Sequence, residues 1–166
     1  IKDVAFPERK AAYLKLVWQN NRVRNGTIGF DYVTQMSVDE ALHELEKNLG
    51  VGRKTSAATL NFSVAHGRAF VFDTHVLRIL RRFGFIGPQT QTEHAYGAVM
   101  HAAAGMDADG LFELHWHLKR LGQEICAYSQ VACGCCPLST HCLRRLERGT
   151  RIVPNVQSQS LGHGFP

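Results

Sequence analysis

Four of the five cysteines fall within seventeen positions and read C-x6-C-x2-C-x5-C, from Cys126 through Cys133 and Cys136 to Cys142. Thiolates are soft donors suited to zinc or to iron–sulfur clusters, and a loop this compact can turn all four toward one centre. Structural zinc usually takes two C-x2-C knuckles with a longer spacer. Here there is one such pair with unequal flanks, which favours a cluster over zinc. Four reduced, unligated cysteines packed in a core are the plainer alternative. The odd total and the clustering argue against a spread-out secreted disulfide framework. Cys135 lies outside the spacing and reads as a spare.

A second constellation is Gly50-Val51-Gly52 followed by Arg53-Lys54-Thr55. Two glycines let the backbone turn tightly and approach a ligand, leaving amides free at the start of the next helix, which suits a phosphate. A plain helical hairpin with a glycine turn has the same pattern, and Arg53 and Lys54 tip it toward an anion. Lys54 is a candidate amine nucleophile in a first helical turn, against the ordinary reading of a solvated surface lysine. Asp73, nineteen positions further on, stands before an apolar-periodic run. Its plain role is an N-cap, and a carboxylate there can be cap and catalyst at once.

These groups need helices to position them. Proline at a first turn and the spacing of Ala12, Tyr13, Leu16, Val17, Trp18 and Val23 predict a helix from about Pro7 to Val23. Gly26 to Met36 reads as a connection with one short turn. Ser37-Val38-Asp39-Glu40 has the form of a capping box, with Ala41, Leu42, Leu45 and Leu49 as the apolar face behind it. After the glycine turn a second helix is expected from Arg53 through Leu60, Asn61 and Val64 to Ala65, ended by Gly67. Ala69 to Phe72 forms a short apolar link, and Asp73-Thr74 caps a helix running to Phe83 and Gly84. Two more helices are expected over 92–104 and 108–128. No repeat and no strand is legible, and the tail 151–166, rich in Gln, Ser, Gly and Pro, reads as poorly ordered.

The chain has 166 residues, is 45% hydrophobic and 20% charged, and carries a formal charge of +5 with nine histidines besides. That suffices for one domain or two small lobes and favours a polyanionic partner. No apolar run reaches the ~20 residues of a membrane span, and no leader pattern opens the sequence. An intracellular, cytoplasmic protein without a membrane partner is therefore expected.

GVGRKT at 50–55, Leu60-Asn61, Asp73-Thr74-His75 and the four-cysteine spacing occur together and in this order. The conjunction resembles the endonuclease III family of the helix-hairpin-helix DNA glycosylase superfamily, over about residues 1–148. The resemblance implies an all-α fold of two lobes with DNA between them. A partial helical barrel lobe is implied over 1–72, with the helix-hairpin-helix at 38–66. A cluster lobe is implied over 73–150, with its cysteine loop at 126–142. It implies Lys54 as the nucleophile, Asp73 as the catalytic aspartate, Gly50, Val51, Gly52 and Arg53 as the DNA-binding turn, and Cys126, Cys133, Cys136 and Cys142 as ligands of a [4Fe-4S] cluster. The implied activity is base excision with abasic-site lyase activity on damaged, oxidised pyrimidines in duplex DNA, by a monomer. The lysine points to this bifunctional branch, because related adenine glycosylases lack it.

The chain also departs from the family. Asn48-Leu49-Gly50 stands where Leu-Pro-Gly is usual. Positions 127–132 carry none of the basic residues often found there, although Arg144, Arg145, Arg148 and Arg151 follow, and Gly122-Gln123-Glu124 replaces a stretch that usually includes an arginine. Family members have further helices ahead of the region matching Ile1, so the chain is expected to be truncated, with apolar surface of its first lobe exposed. A DNA-binding remnant without catalysis and a monofunctional glycosylase of the same fold are the alternatives.

Overall fold

A computed structural model describes residues 6–63 and 65–147. The expectation for the tail 151–166, and Arg148 and Arg151 with it, lie outside the described residues.

The described residues form seven α-helices and two short 3₁₀ turns, with no strand among them. The helices are α1 (Pro7–Asn25), α2 (Val38–Glu46), α3 (Arg53–Phe62), α4 (Thr74–Phe83), α5 (Thr92–Ala102), α6 (Ala108–Glu124) and α7 (Leu143–Glu147). The fold is all-α, as the sequence predicts. One 3₁₀ turn, Asp31–Gln35, lies in the connection expected to hold a single turn.

The capping box forms as read. Ser37 accepts from the Glu40 amide while Glu40 Oε2 takes the Ser37 amide at 2.9 Å, satisfying donors that a helix start otherwise leaves orphaned. Behind it Ala41, Leu42 and Leu45 are buried, but the helix ends at Glu46. Leu49 therefore falls beyond the helix and is exposed, instead of extending its apolar face.

Three further boundaries fall earlier than the sequence reading, where donors from outside the helix take carbonyls near its end. α3 stops at Phe62: Ser63 is extended, and the Gly67 amide returns to Leu60 O at 2.9 Å. α5 stops at Ala102, where Arg68 takes Ala103 O through Nη2 and Met106 O through Nε. α6 ends at Glu124, not Tyr128: the Cys126 amide doubles back to Leu121 O at 2.7 Å, which lifts Cys126 off the helix and into a bridge with Val131.

Two apolar clusters organise the interior. One gathers Val33, Leu42, Leu45, Ala57 and Leu60 from α2, α3 and their approach. The other gathers Val76, Leu80, Val99 and Leu111 from α4, α5 and α6. The link 69–72 serves both, because successive side chains of extended backbone point to opposite sides. Ala69 and Val71 enter the first cluster, and Phe70 and Phe72 the second. All four are buried, and Tyr96 packs against both clusters.

The first helix is the exception to this burial. Asn21 is its only buried residue, and Leu14, Leu16, Trp18 and Val23 are exposed. Asn21 closes the following turn: its Nδ2 donates to the carbonyls of Thr27, Ile28 and Gly29, and its Oδ1 accepts from Asn25 Nδ2 and Tyr32 OH.

Candidate functional site

The glycine turn is held from below by Asn48, which is buried. Its Nδ2 donates to Leu45 O at 3.0 Å and its carbonyl takes the Val51 amide at 3.0 Å. Gly50 has φ +81, and a Cβ there would run into the Tyr13 ring of α1, so this glycine is required by backbone and by space. Gly52 is not: it is extended at φ −107, ψ 178. What it contributes is openness, since a Cβ there would meet nothing within 4 Å. The amides of Gly52, Arg53 and Lys54 donate to no acceptor among the described residues, leaving three donors at the open N-terminus of α3.

Arg53 does not join that open face. Its Nε lies 2.7 Å from Glu46 Oε1, an ion pair whose angle falls outside hydrogen-bond geometry, and its Nη2 donates to Glu46 Oε2 at 3.3 Å. Ser56 Oγ donates to the same carboxylate at 2.8 Å, and the guanidinium lies over the Tyr96 ring. Arg53 thus pins α2, α3 and α5 together, a role its place in the turn did not reveal.

Lys54 is exposed in the first turn of α3 and engages no partner among the described residues. Asp73 is buried at the start of α4. Its Oδ1 accepts from the amides of His75 and Val76, both at 2.8 Å, while Oδ2 has no protein donor among the described residues. One oxygen therefore caps the helix and the other remains available.

The sequence reading left out the residue that relates these two. His115, on α6, is buried, and its Nδ1 lies 2.8 Å from Val71 O, two residues before Asp73. Its ring packs against Phe62 and Phe70. Burial pushes its pKa down; the Val71 carbonyl and the Asp73 charge pull it up, and Lys119 and Lys54 push it further down. Both Lys54 and Asp73 thus act on one imidazole. Asn61 is a second such residue: its Nδ2 bridges Gly67 O and Ala108 O, tying the end of α3 to the start of α6.

On the far side of α4 the four cysteines line a single pocket with Arg82, Ile125, Val131 and Arg145, enclosing about 340 Å³ of non-atom space, part of it open to solvent. Cys126, Cys133, Cys136 and Cys142 are half-buried, whereas Cys135 is exposed and turns its Sγ to Ala132 O. Among the described residues no three His, Cys, Asp or Glu side chains are grouped closely enough to hold a single metal ion. Burial pushes the Cys136 thiol up, and the other three cysteines add to that against a hydrogen bond from the Leu138 amide.

Two arginines of α4 grip this loop. Arg82 Nη1 donates to Ala127 O at 2.6 Å, Cys126 O at 3.1 Å and Cys126 Sγ at 3.3 Å, and Nη2 donates to Tyr128 O at 2.9 Å. Arg78 Nε reaches Cys126 O at 3.2 Å while its Nη2 reaches Gly122 O at 2.6 Å. A Cβ on Gly122 would lie 2.8 Å from that of His75, so glycine is what allows α6 to cross α4 this closely.

Comparison with known proteins bears on this arrangement. The chain is 32% identical over 108 residues to endonuclease III of Rickettsia prowazekii, covering 65% of the chain and 49% of that protein. It is 32% identical over 120 residues to endonuclease III of Thermotoga maritima, covering 71% of the chain and 53% of that protein. Its fold superposes on an endonuclease III trapped as a covalent intermediate with DNA, with a TM-score of 0.63 at 25% identity, over 84% of the chain and 60% of that structure. The chain is endonuclease III-like in sequence and in fold. No family model matches it. The endonuclease III-like chain spans at most about half the length of these curated relatives.

Proposed function

We propose that the chain carries the catalytic and cluster-binding parts of a base-excision DNA glycosylase with abasic-site lyase activity, acting on damaged, oxidised pyrimidines in duplex DNA. The observation that carries this reading is an exposed Lys54 with no partner among the described residues, together with a buried Asp73 whose Oδ2 is unengaged by them and three open amides at the start of α3. Those amides, in the turn Gly50-Val51-Gly52, provide a seat for a DNA phosphate. Arg53 supports the seat from within through Glu46.

The chemistry follows from the two side chains. The damaged nucleotide is turned out of the stack, because an amine cannot reach C1′ inside a duplex. The neutral Lys54 amine attacks C1′ as the glycosidic bond breaks, and the bond pair leaves with the base, which takes up a proton. The Asp73 carboxylate stabilises positive charge on the sugar and helps remove the lysine's proton. Opening of the C1′–O4′ bond gives a Schiff base. Loss of a C2′ proton then expels the 3′ phosphate, and hydrolysis returns the amine.

The cysteine pocket fits a [4Fe-4S] cluster. Four thiols ring one space without converging on a point, and a cluster binds each thiolate at a different iron. When bound, the group supplies four metal–thiolate bonds that tie 126–142 into one unit. Arg82 and Arg78 hold the first of those cysteines against α4 whatever the pocket contains.

Borohydride trapping on a duplex with one abasic site tests the lyase, with wild type beside Lys54→Ala. A covalent adduct with wild type and none with Lys54→Ala is the expected result. The exposed apolar side chains of α1 favour a second reading, a DNA-binding chain without excision. Salt-sensitive DNA binding with no adduct in either protein would replace the first reading with that one.

A further inference from the structure

We infer that His115 is a positioning residue, which holds Asp73 in its working place by clamping the Val71 carbonyl. This deepens the proposed function and rests on it. Val71 O can only accept, so the 2.8 Å contact makes Nδ1 the protonated nitrogen and the donor. The bond joins residues 44 apart in sequence and is buried, so water does not compete for it.

Rigidity at this point matters for geometric reasons. The link 69–72 lies outside regular secondary structure and has few backbone bonds of its own: Ala69 N donates to Gly67 O, and among the described residues no amide from 70 to 73 donates to a backbone acceptor. Asp73 begins α4, and only its Oδ1 is tied, to the His75 and Val76 amides. The start of α4 therefore takes its place from the link, and the link takes its place from side-chain burial, from the Tyr96 hydroxyl against the Phe70 backbone, and, next to Asp73, from His115 on Val71. Phe62 and Phe70 hold the ring itself. The charged groups acting on the imidazole are Asp73, Lys119 and Lys54, so it also sits within the field of the catalytic pair.

The test compares His115→Asn, whose Nδ2–H can stand where the imidazole Nδ1–H stands, with His115→Leu, which removes the donor. The first readout is amide hydrogen exchange at His75 and Val76, the two donors to Asp73, with Val99 and Ala103 of the second apolar cluster as controls. The second is the split between binding of the abasic duplex and the single-turnover trapping rate. For His115→Leu, exchange at His75 and Val76 is expected to be about tenfold faster, the scale of one lost hydrogen bond. Its trapping rate should fall by about the same factor with duplex binding unchanged, and His115→Asn should restore both.

Unchanged exchange at His75 and Val76 in His115→Leu overturns the inference. So does equal acceleration at the control amides, or an asparagine variant no better than leucine. If wild type gives no adduct, the proposed function has failed, and the exchange result alone decides the positioning role. If His115→Leu does not fold, His115→Gln, whose donor lies at the Nε2 position, takes its place.

Discussion

The cap that Asp73 forms and the catalytic role proposed for it can be separated by substitution. An asparagine keeps an oxygen that accepts from the His75 and Val76 amides, whereas alanine keeps nothing. Asp73→Asn should therefore leave thermal stability close to wild type while lowering the trapping rate by about 100-fold or more, the usual weight of a positioned acid–base group. Asp73→Ala should lose about 1 kcal/mol of stability as well, the usual worth of an N-cap, measured by denaturant unfolding. Equal stability of the two variants would refute the cap assignment. Lys54 has no structural partner among the described residues, so its removal should be silent in the same unfolding experiment. Arg53, next to it, shows why adjacent residues cannot be assigned one role from sequence: its guanidinium is occupied by Glu46 and Tyr96.

Helix α4 is the element on which both proposed centres depend. It starts at Asp73 and, through Arg78 and Arg82, holds the cysteine segment 126–128. Arg82→Gln removes donors to three backbone carbonyls and to Cys126 Sγ. Purified Arg82→Gln is expected to retain less iron per chain than wild type and to lose it faster to a chelator, with α-helical content unchanged. Iron content and loss rate equal to wild type would show that the arginine does not organise the site. The spacing of the cysteines was legible in the sequence, and so was the capping of α4. The arginine grip was not, because it joins positions 44 to 48 apart and has no periodic signature.

At the scale of the whole molecule, two apolar clusters meet at the link 69–72, and His115 is a buried titratable group at that junction. Burial lowers its pKa below the ordinary 6.5. The unfolded chain therefore binds the proton more readily than the folded one below that pH. The stabilising contribution of the neutral imidazole is present above about pH 6.5 and is lost as pH falls through the lower folded value. Melting curves at pH 7.5 and pH 5 should show a larger drop for wild type than for His115→Asn. Equal drops would place the acid sensitivity elsewhere. Basic charge adds a second global property: binding of duplex DNA should weaken steeply as salt rises.

Local rules were enough for much of this protein. The capping box at Ser37, the Asp73 cap, the starts of α1 to α6 and the grouping of four cysteines all depend on neighbours within a few positions, where side-chain spacing and cap chemistry act directly. Helix ends were less legible. α3, α5 and α6 stop where Gly67, Arg68 and Cys126 take over carbonyls, and those bonds compete with helix propensity without altering it. The inward turn of Arg53 and the clamp of His115 on Val71 were decided by the tertiary structure alone. Each depends on which distant surface comes within bonding distance, and a sequence pattern records periodicity along the chain, not proximity across it.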